Sequence, residues 1–195
     1  MVHIDTLALG AYQTNCYIVT SGNGKCIIID PGYDAPVIKK HLQKMNLTAE
    51  AILLTHGHFD HVGAVKELAM DMDCPVWIHP AESTMPPMMT AGPLYYTNTY
   101  SGGETLEIAG LSIFVRHTPG HTPGSVCLII GDSIFSGDTL FAGSCGRTDL
   151  PGGDWATILQ SLQGLRELPL DYRIFPGHGE STTLDSERKY NPYMR

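Results

Sequence analysis

The heptapeptide Thr-His-Gly-His-Phe-Asp-His, residues 55–61, places three histidines and an aspartate within six positions. It directly follows four apolar residues, Ala-Ile-Leu-Leu, a run that is typical of a buried strand. We expect His56 and His58 to lie on the turn after this strand and to converge on one metal ion. Asp60 and His61 fall in the first turn of a predicted helix and point to an adjacent position. Because one catalytic zinc ion normally takes about three protein ligands, the motif predicts two ions.

Three further candidate ligands lie in the second half of the chain. They are His121, Asp138 and His178, and each directly follows a glycine and comes after a predicted strand. Functional groups concentrate on loops at strand ends, because a rigid sheet fixes the position of such loops. A neighbouring glycine lets the backbone turn sharply enough to present the side chain. The sequence therefore predicts that these residues complete the two-ion site.

The hydrophobic pattern predicts a single α/β domain over residues 1–195, in which sheets are covered on the outside by helices. Strands are predicted at 2–9, 14–20, 25–30, 51–54, 76–78, 111–116, 125–130, 133–136 and 172–175. Helices are predicted at 35–46, 60–72, 154–168 and 182–189. Prolines interrupt residues 80–104, which we interpret as an irregular insertion or a lid over the site.

The composition excludes several classes of protein. Twelve Lys and Arg against twenty Asp and Glu give a formal net charge of −8, so neither nucleic acid nor an anionic membrane is an expected partner. No stretch approaches 18 uninterrupted apolar residues, and a transmembrane helix is not expected. The five cysteines form no Cys-x-x-Cys pair, and the first twenty residues lack a secretion signal. We expect a cytoplasmic protein, and no pattern indicates an oligomeric state.

Together these motifs resemble the metallo-β-lactamase superfamily, and within it the glyoxalase II-like branch of hydroxyacylglutathione hydrolases. The resemblance runs along almost the whole chain. The motifs on which it rests are Asn15-Cys16-Tyr17, Asp30-Pro31-Gly32, the heptapeptide 55–61, Gly-Asp-Thr-Leu-Phe at 137–141 and Pro-Gly-His-Gly at 176–179. Only residues 180–195 follow the last of these motifs. The chain therefore resembles the short, single-domain members of that branch.

The resemblance implies the αββα four-layer sandwich of that superfamily and a centre of two divalent metal ions. Zinc is the first expectation, with iron or manganese as alternatives, because imidazole and carboxylate suit all three. The implied ligands are His56, His58 and His121 for the first ion, Asp60, His61 and His178 for the second, and Asp138 as the bridge between them. Asp30 would orient the ligand loop from outside the coordination sphere.

The resemblance also implies a reaction, the hydrolysis of a small thioester such as S-lactoylglutathione to a hydroxy acid and glutathione. A water between the two ions would ionise near neutral pH and attack the thioester carbonyl. Asp60 would accept the proton of that water, and Asp138 would hold the two ions together. Arg147 stands where the family usually has a basic residue for the glutathione moiety. A departing thiolate needs no separate general acid, because cysteine-like thiols have a pKa near 8.5.

Three alternatives stay open at this point. A mononuclear iron persulfide dioxygenase needs only two histidines and one carboxylate, which His56, His121 and Asp138 could supply. A metallohydrolase could instead act on another ester, thioester or lactone. A non-enzymatic metal-binding protein ranks last, because the seven ligands leave room for an exchangeable water.

Overall fold

The computed structural model describes residues 2–195, and the strands and helices follow the chain in an alternating order. The strands are β1 (His3–Leu9), β2 (Thr14–Thr20), β3 (Lys25–Ile29), β4 (Thr48–Leu53), β5 (Val76–Ile78), β6 (Asn98–Thr99), β7 (Thr105–Ile108), β8 (Leu111–His117), β9 (Val126–Ile130), β10 (Ser133–Gly137), β11 (Leu140–Phe141), β12 (Ser144–Cys145), β13 (Arg173–Pro176) and β14 (Thr182–Thr183). The α-helices are α1 (Ala35–Met45), α2 (Phe59–Val62), α3 (Val65–Met72), α4 (Trp155–Arg166) and α5 (Leu184–Tyr190). Short 3-10 helices occupy Pro80–Thr84 and Pro192–Met194.

Two six-stranded sheets form the frame of the molecule. The first has the order β1-β2-β3-β4-β5-β6, and the second has the order β14-β13-β10-β9-β8-β7. In the first sheet, β3 to β6 pair in parallel, whereas β1 and β2 are antiparallel to their neighbours. In the second sheet only β10 and β13 pair in parallel. The hairpin β11-β12 forms a separate two-stranded sheet.

The core lies in three apolar layers that follow from the alternation of side chains along a strand. In β3, Ile27 and Ile29 face the space between the sheets, while Cys26 and Ile28 pack with residues of α1 and α3. A strand that is buried on both faces is expected to be apolar, as β3 is after its exposed first residue, Lys25. In the second sheet, Cys127 belongs to the layer that packs against α4 and α5. The predicted αββα four-layer sandwich is confirmed.

The predicted helix over 60–72 is wrong in one respect, because it is broken into α2 and α3. The amide of Ala64 donates to the carbonyl of Pro31 (3.0 Å) instead of continuing the helix. A β-carbon at Gly63 would lie 2.3 Å from the carbonyl oxygen of Gly32, and one at Gly32 would lie 1.7 Å from that of Asp60. The close approach of the loop after β3 therefore divides the helix and fixes α2 as a separate turn.

The sequence also missed several short strands. β7 was not predicted and pairs with β8, while the hairpin β11-β12 was not predicted at all. The predicted helix over 182–189 begins only at Leu184, because Thr182 and Thr183 pair with β13. The Thr183 side chain then accepts from the amide of Ser186 and caps the helix. A strand of two residues is too short to show a hydrophobic period in the sequence. Whether it forms depends on the strand with which it pairs.

Residues 80–104, interpreted above as an insertion or a lid, lie against the loop that follows β4. The Met89 carbonyl accepts from the amide of Phe59 (2.8 Å), and the Tyr100 hydroxyl donates to the carbonyl of Leu54. Tyr100 is fully buried, whereas Met88 is 80% exposed. The segment therefore holds both ends of the loop 54–59 by hydrogen bonds. Its action as a lid stays a prediction. Over residues 2–195, no helix has the length and apolar character needed to cross a membrane.

Candidate metal centre

The structure brings all seven candidate ligands to one place, although they come from four separate parts of the chain. His56 and His58 lie on the loop after β4, and Asp60 and His61 lie in α2. The other three come from the second sheet. His121 follows β8, Asp138 follows β10 and His178 follows β13. The ends of neighbouring strands thus present their loops to a common point, as the sequence predicts.

His56, His58 and His121 form the first group of donors. Each offers a ligand atom within 4.8 Å of the others, and all three side chains are buried. Nδ1 of His58 lies 2.9 Å from Nε2 of His121. Nε2 of His56 is buried and has no hydrogen-bond partner within residues 2–195. Imidazole nitrogens that converge in this way, one of them with no hydrogen-bond partner, are what a divalent ion would satisfy.

Asp60, His61 and His178 form the second group, again with ligand atoms within 4.8 Å of one another. Nε2 of His178 lies 3.1 Å from Oδ2 of Asp60 and 3.4 Å from Nε2 of His61. The Thr14 hydroxyl donates to Oδ2 of Asp60 at 3.1 Å, which fixes the carboxylate from the β2 side. The three donors therefore face the same point from two elements of the fold.

Asp138 lies between the two groups. Its Oδ1 is 3.4 Å from Nε2 of His61 in the second group, and its Oδ2 is 3.5 Å from Nε2 of His121 in the first. Oδ1 is buried and accepts no hydrogen bond from the described residues. The residue before it, Gly137, has φ +49°, and a β-carbon there would lie 2.3 Å from Oγ1 of Thr55. Glycine is thus required for the turn that presents Asp138.

Contacts outside the two groups orient four of the five imidazoles. In each, Nδ1 meets an oxygen, so that Nε2 is left for the centre. The oxygens are the Thr55 hydroxyl for His56 (3.1 Å), Asp30 for His61 (3.0 Å), the Arg147 carbonyl for His121 (2.7 Å) and the Tyr12 carbonyl for His178 (3.1 Å). His58 is the exception, because its Nδ1 faces the centre.

Asp30 lies behind the ligands, in the position that the sequence predicts for an orienting carboxylate. Its Oδ1 accepts from the amide of Thr55 (2.8 Å), and its Oδ2 accepts from the Thr55 hydroxyl (2.6 Å) and faces Nδ1 of His61. Asp30 is 2% exposed and adopts φ +50°, a left-handed conformation that aspartate tolerates. The role of Thr55 was missed, although it directly precedes the first histidine of the heptapeptide.

The environment of the histidines differs between the two groups. Burial, with the neighbouring His121, lowers the pKa of His58 to about 4, and burial with His61 and His58 lowers the pKa of His56. Burial acts in the same direction on His61, but Asp138 and Asp30 outweigh it and raise its pKa. His178 likewise has a raised pKa, because Asp60 and Asp138 oppose the effect of burial.

The carboxylate at the centre is held in its charged form. Burial by itself would raise the pKa of Asp138, but His61, His121 and His178 outweigh it and hold that pKa well below its usual range. One group of three imidazoles and one of two imidazoles and a carboxylate, with the Asp138 carboxylate between them, fit divalent ions. The residues present therefore match the predicted two-ion centre.

A cavity of about 400 Å³ opens beside the centre, and its wall is largely apolar. The apolar side chains in that wall are Tyr12, Phe59, Met89, Phe141 and Leu150. Such a surface suits an organic substrate of small size. Apart from the candidate ligand histidines, Arg147 is the one basic residue among the described residues that line this cavity.

Arg147 lies where the sequence predicts a substrate-binding residue, but its guanidinium is already engaged. Nε and Nη2 each donate to a carboxylate oxygen of Asp149 at 2.7 Å, on an exposed part of the surface. Its carbonyl, by contrast, orients His121. The family resemblance indicated Arg147, but no sequence pattern indicated the ion pair or the backbone contact.

Residues 9–178 match the metallo-beta-lactamase superfamily, and the chain belongs to that superfamily. It is 32% identical to a Haemophilus influenzae protein named hydroxyacylglutathione hydrolase GloC, with 99% of this chain and 98% of that protein covered. The similarity therefore extends beyond the metal-site motifs to the whole length of both chains.

Two solved structures show the same arrangement. The crystal structure of BLEG-1 B3 metallo-beta-lactamase superimposes with a TM-score of 0.91 at 36% identity, covering 98% of this chain and 99% of that one. The crystal structure of TTHA1623 in a di-iron-bound form superimposes with a TM-score of 0.84 at 39% identity, covering 97% and 99%. The fold is thus shared with proteins of similar length.

Proposed function

We propose that this chain is a binuclear metal-dependent thioester hydrolase that cleaves an S-(2-hydroxyacyl)glutathione, such as S-lactoylglutathione, to a hydroxy acid and glutathione. The observation that carries the proposal is Asp138, whose two oxygens face His61 of one donor group and His121 of the other. The full-length similarity to a protein named hydroxyacylglutathione hydrolase supports the substrate class. Membership of the superfamily supports a metal-dependent hydrolase in general.

Seven residues would hold the ions, three in each donor group and Asp138 between the groups. When bound, two divalent ions would lower the pKa of a water between them and polarise a carbonyl oxygen. We propose zinc for both positions. Iron is the main alternative, because a relative at 39% identity was solved in a di-iron-bound form, and manganese suits the same donors.

Side chains of the cavity would position the substrate and accept the proton of the water. Asp60 lies at the cavity wall, is held at Oδ2 by the Thr14 hydroxyl and can accept the proton of the attacking water at its other oxygen, Oδ1. The apolar wall, including Phe141 and Met89, would hold the acyl group and exclude bulk water. The leaving thiol needs no proton from the protein, because its pKa of about 8.5 makes the thiolate a good leaving group.

Arg147 would contact the glutathione moiety, which requires that its guanidinium exchange the Asp149 contact for a substrate carboxylate. The ion pair is exposed, and exposed pairs contribute little to stability, so such an exchange is energetically accessible. We propose that the partner is this small molecule and not a nucleic acid, in keeping with the net charge of −8. A cytoplasmic location is proposed with it, since all five cysteines are unpaired.

A thioester panel on protein of measured metal content tests the proposal. We expect two metal ions per chain and release of free thiol without oxygen consumption, fastest for glutathione thioesters. Thioesters of coenzyme A and of simple alkyl thiols, an oxygen ester and a lactone complete the panel. Oxygen consumption with a persulfide and one iron per chain would contradict a hydrolase. A preference for a non-glutathione leaving group would contradict the substrate assignment and retain the reaction class.

A further inference from the structure

A buried carboxylate outside the donor groups connects the two loops that carry the first group. Glu82 lies in the 3-10 helix Pro80–Thr84 and is 1% exposed. Its Oε2 accepts from the amide of Gly57 at 2.6 Å, and its Oε1 accepts from the amide of Gly124 at 2.7 Å. Each oxygen therefore holds the backbone of a different loop.

Both of these loops belong to the first donor group. Gly57 separates His56 from His58, and Gly124 follows His121 by three residues on the loop between β8 and β9. One carboxylate thus spans the two segments that supply all three imidazoles of that group. In the second group, Asp60 and His61 follow Gly57 in α2, whereas His178 comes from the loop after β13, to which Glu82 makes no hydrogen bond.

The approach of Glu82 to both loops depends on glycine. A β-carbon at Gly57 would lie 2.9 Å from Oε2, and one at Gly124 would lie 2.7 Å from Oε1. Both separations are shorter than β-carbon contacts in proteins, so the carboxylate occupies the space that glycine leaves open. The two glycines and Glu82 therefore fit together as one unit.

The burial of Glu82 needs an explanation, because a carboxylate loses its hydration when it is buried. No lysine, arginine or histidine in residues 2–195 forms an ion pair with it. The backbone amides of the two loops are its hydrogen-bond partners, and amide bonds to a charged acceptor are stronger than neutral ones. Both hydrogen bonds keep their length only while the loops of Gly57 and Gly124 stay at this separation, so the bonds favour that separation.

We propose that Glu82 is a positioning residue that sets the separation of the loops carrying His56, His58 and His121, and thereby the metal affinity of the first group. Glu82 belongs to neither donor group. The inference rests on the two-ion centre of the proposed function and not on the identity of the substrate. Outer contacts of this kind typically alter metal affinity by about 10- to 100-fold.

The test uses Glu82→Ala and Glu82→Gln with the metal-free protein titrated with Zn²⁺ against a chromophoric chelator. We expect Glu82→Ala to weaken one of the two binding steps by about 10- to 100-fold and to leave the other within about twofold. Glu82→Gln retains one acceptor oxygen and should have a smaller effect on the same step. His178→Ala identifies the other step, because it removes a donor of the second group.

Thr84→Ala is the matched control. Its hydroxyl lies in the same 3-10 helix, is exposed and donates to the Ala81 carbonyl (2.7 Å), so its loss should leave both steps unchanged. The melting temperature of each metal-free variant is measured alongside. Titration with Co²⁺ should show an altered absorption spectrum in the Glu82 variants and the wild-type spectrum in Thr84→Ala, because only the Glu82 changes alter the geometry of the three imidazoles.

Two outcomes would overturn the inference. Both steps could stay as in the wild type, or both could weaken equally together with a fall in melting temperature, which would make Glu82 a general structural residue. If Glu82→Ala does not fold, Glu82→Gln decides by the same criteria, since it keeps the size of the side chain. A wild-type chain that binds no metal would instead refute the proposed function and is distinguished at the first titration.

Discussion

Nδ1 of His121 donates to the backbone carbonyl of Arg147 at 2.7 Å. Arg147 thus contacts the centre in two ways. Its main-chain carbonyl orients the ligand His121, and the residue also lines the cavity beside the centre. A histidine with Nδ1 bonded in this way presents Nε2 to a metal. The two roles can be separated by mutation, because a side-chain replacement keeps the carbonyl.

We expect Arg147→Ala to retain both metal ions and to raise KM for a glutathione thioester more than it lowers kcat. A group that holds a distant carboxylate contributes equally to the ground state and the transition state. Steady-state kinetics with glutathione and alkyl thioesters measure the effect, and the alkyl substrate should show no change in KM. An equal change for both substrates would make Arg147 structural.

Asp149→Asn tests the same site in the opposite direction. It removes the charge that engages the guanidinium of Arg147, so we expect KM for the glutathione thioester to fall by about two- to fivefold. The double variant with Arg147→Ala should behave like Arg147→Ala alone. If KM rises in Asp149→Asn, the ion pair is part of the binding site rather than a competitor of the substrate.

We expect Asp138→Asn to lower kcat/KM by at least about 100-fold and to reduce metal content, with the fold retained. A neutral amide cannot balance the charge of two cations, although it has nearly the same shape. Metal analysis and circular dichroism accompany the kinetics. Asp132→Asn, which alters an exposed ion pair with Arg173, is the control and should change neither property. Normal turnover with full metal content would exclude a bridging role.

Acidification should release the two ions at different pH values. Imidazole binds metal only when neutral, so a raised pKa means that protons displace the metal at a higher pH. His61 and His178 have raised pKa values, whereas His58, with a pKa of about 4, stays neutral in mild acid. We expect the second group to lose its ion first as pH falls.

The release is measured by dialysing the protein at a series of pH values from 8 to 4 and determining the bound metal by elemental analysis. His178→Ala should abolish the component that is released at the higher pH. Simultaneous loss of both ions would mean that Asp138 couples the two groups so tightly that their separate proton affinities are not expressed.

Asn191 supports the cavity wall from the end of the chain. It is fully buried, and its amide donates to the Ser144 carbonyl (2.9 Å) and to Glu187 (2.8 Å). We expect Asn191→Ala to lower the free energy of unfolding by about 1 to 3 kcal/mol, because buried acceptors lose their donor. Urea denaturation of the metal-free protein measures it. Gln43→Ala on the exposed face of α1 should stay within about 0.5 kcal/mol.

Local patterns in the sequence predicted most of the longer elements. The strand at Val76–Ile78 and the strand at Thr14–Thr20 have the predicted bounds, and the helices that begin near residues 35 and 154 differ by two residues or fewer at either end. Their hydrophobic period is set by neighbours along the chain, which is information that a sequence contains. The density of histidine in residues 55–61 likewise predicted a metal centre, and the structure brings those side chains together.

Other features depend on contacts between distant parts of the chain, and only the tertiary structure decided them. The break between α2 and α3 comes from the carbonyls of Pro31 and Gly32, about thirty residues earlier. The link from Glu82 to two ligand loops has no local pattern, because a glutamate in a proline-rich stretch is usually solvated. Sequence patterns register what a residue does to its neighbours in the chain, whereas hydrogen bonds across the fold depend on where the sheets place the loops.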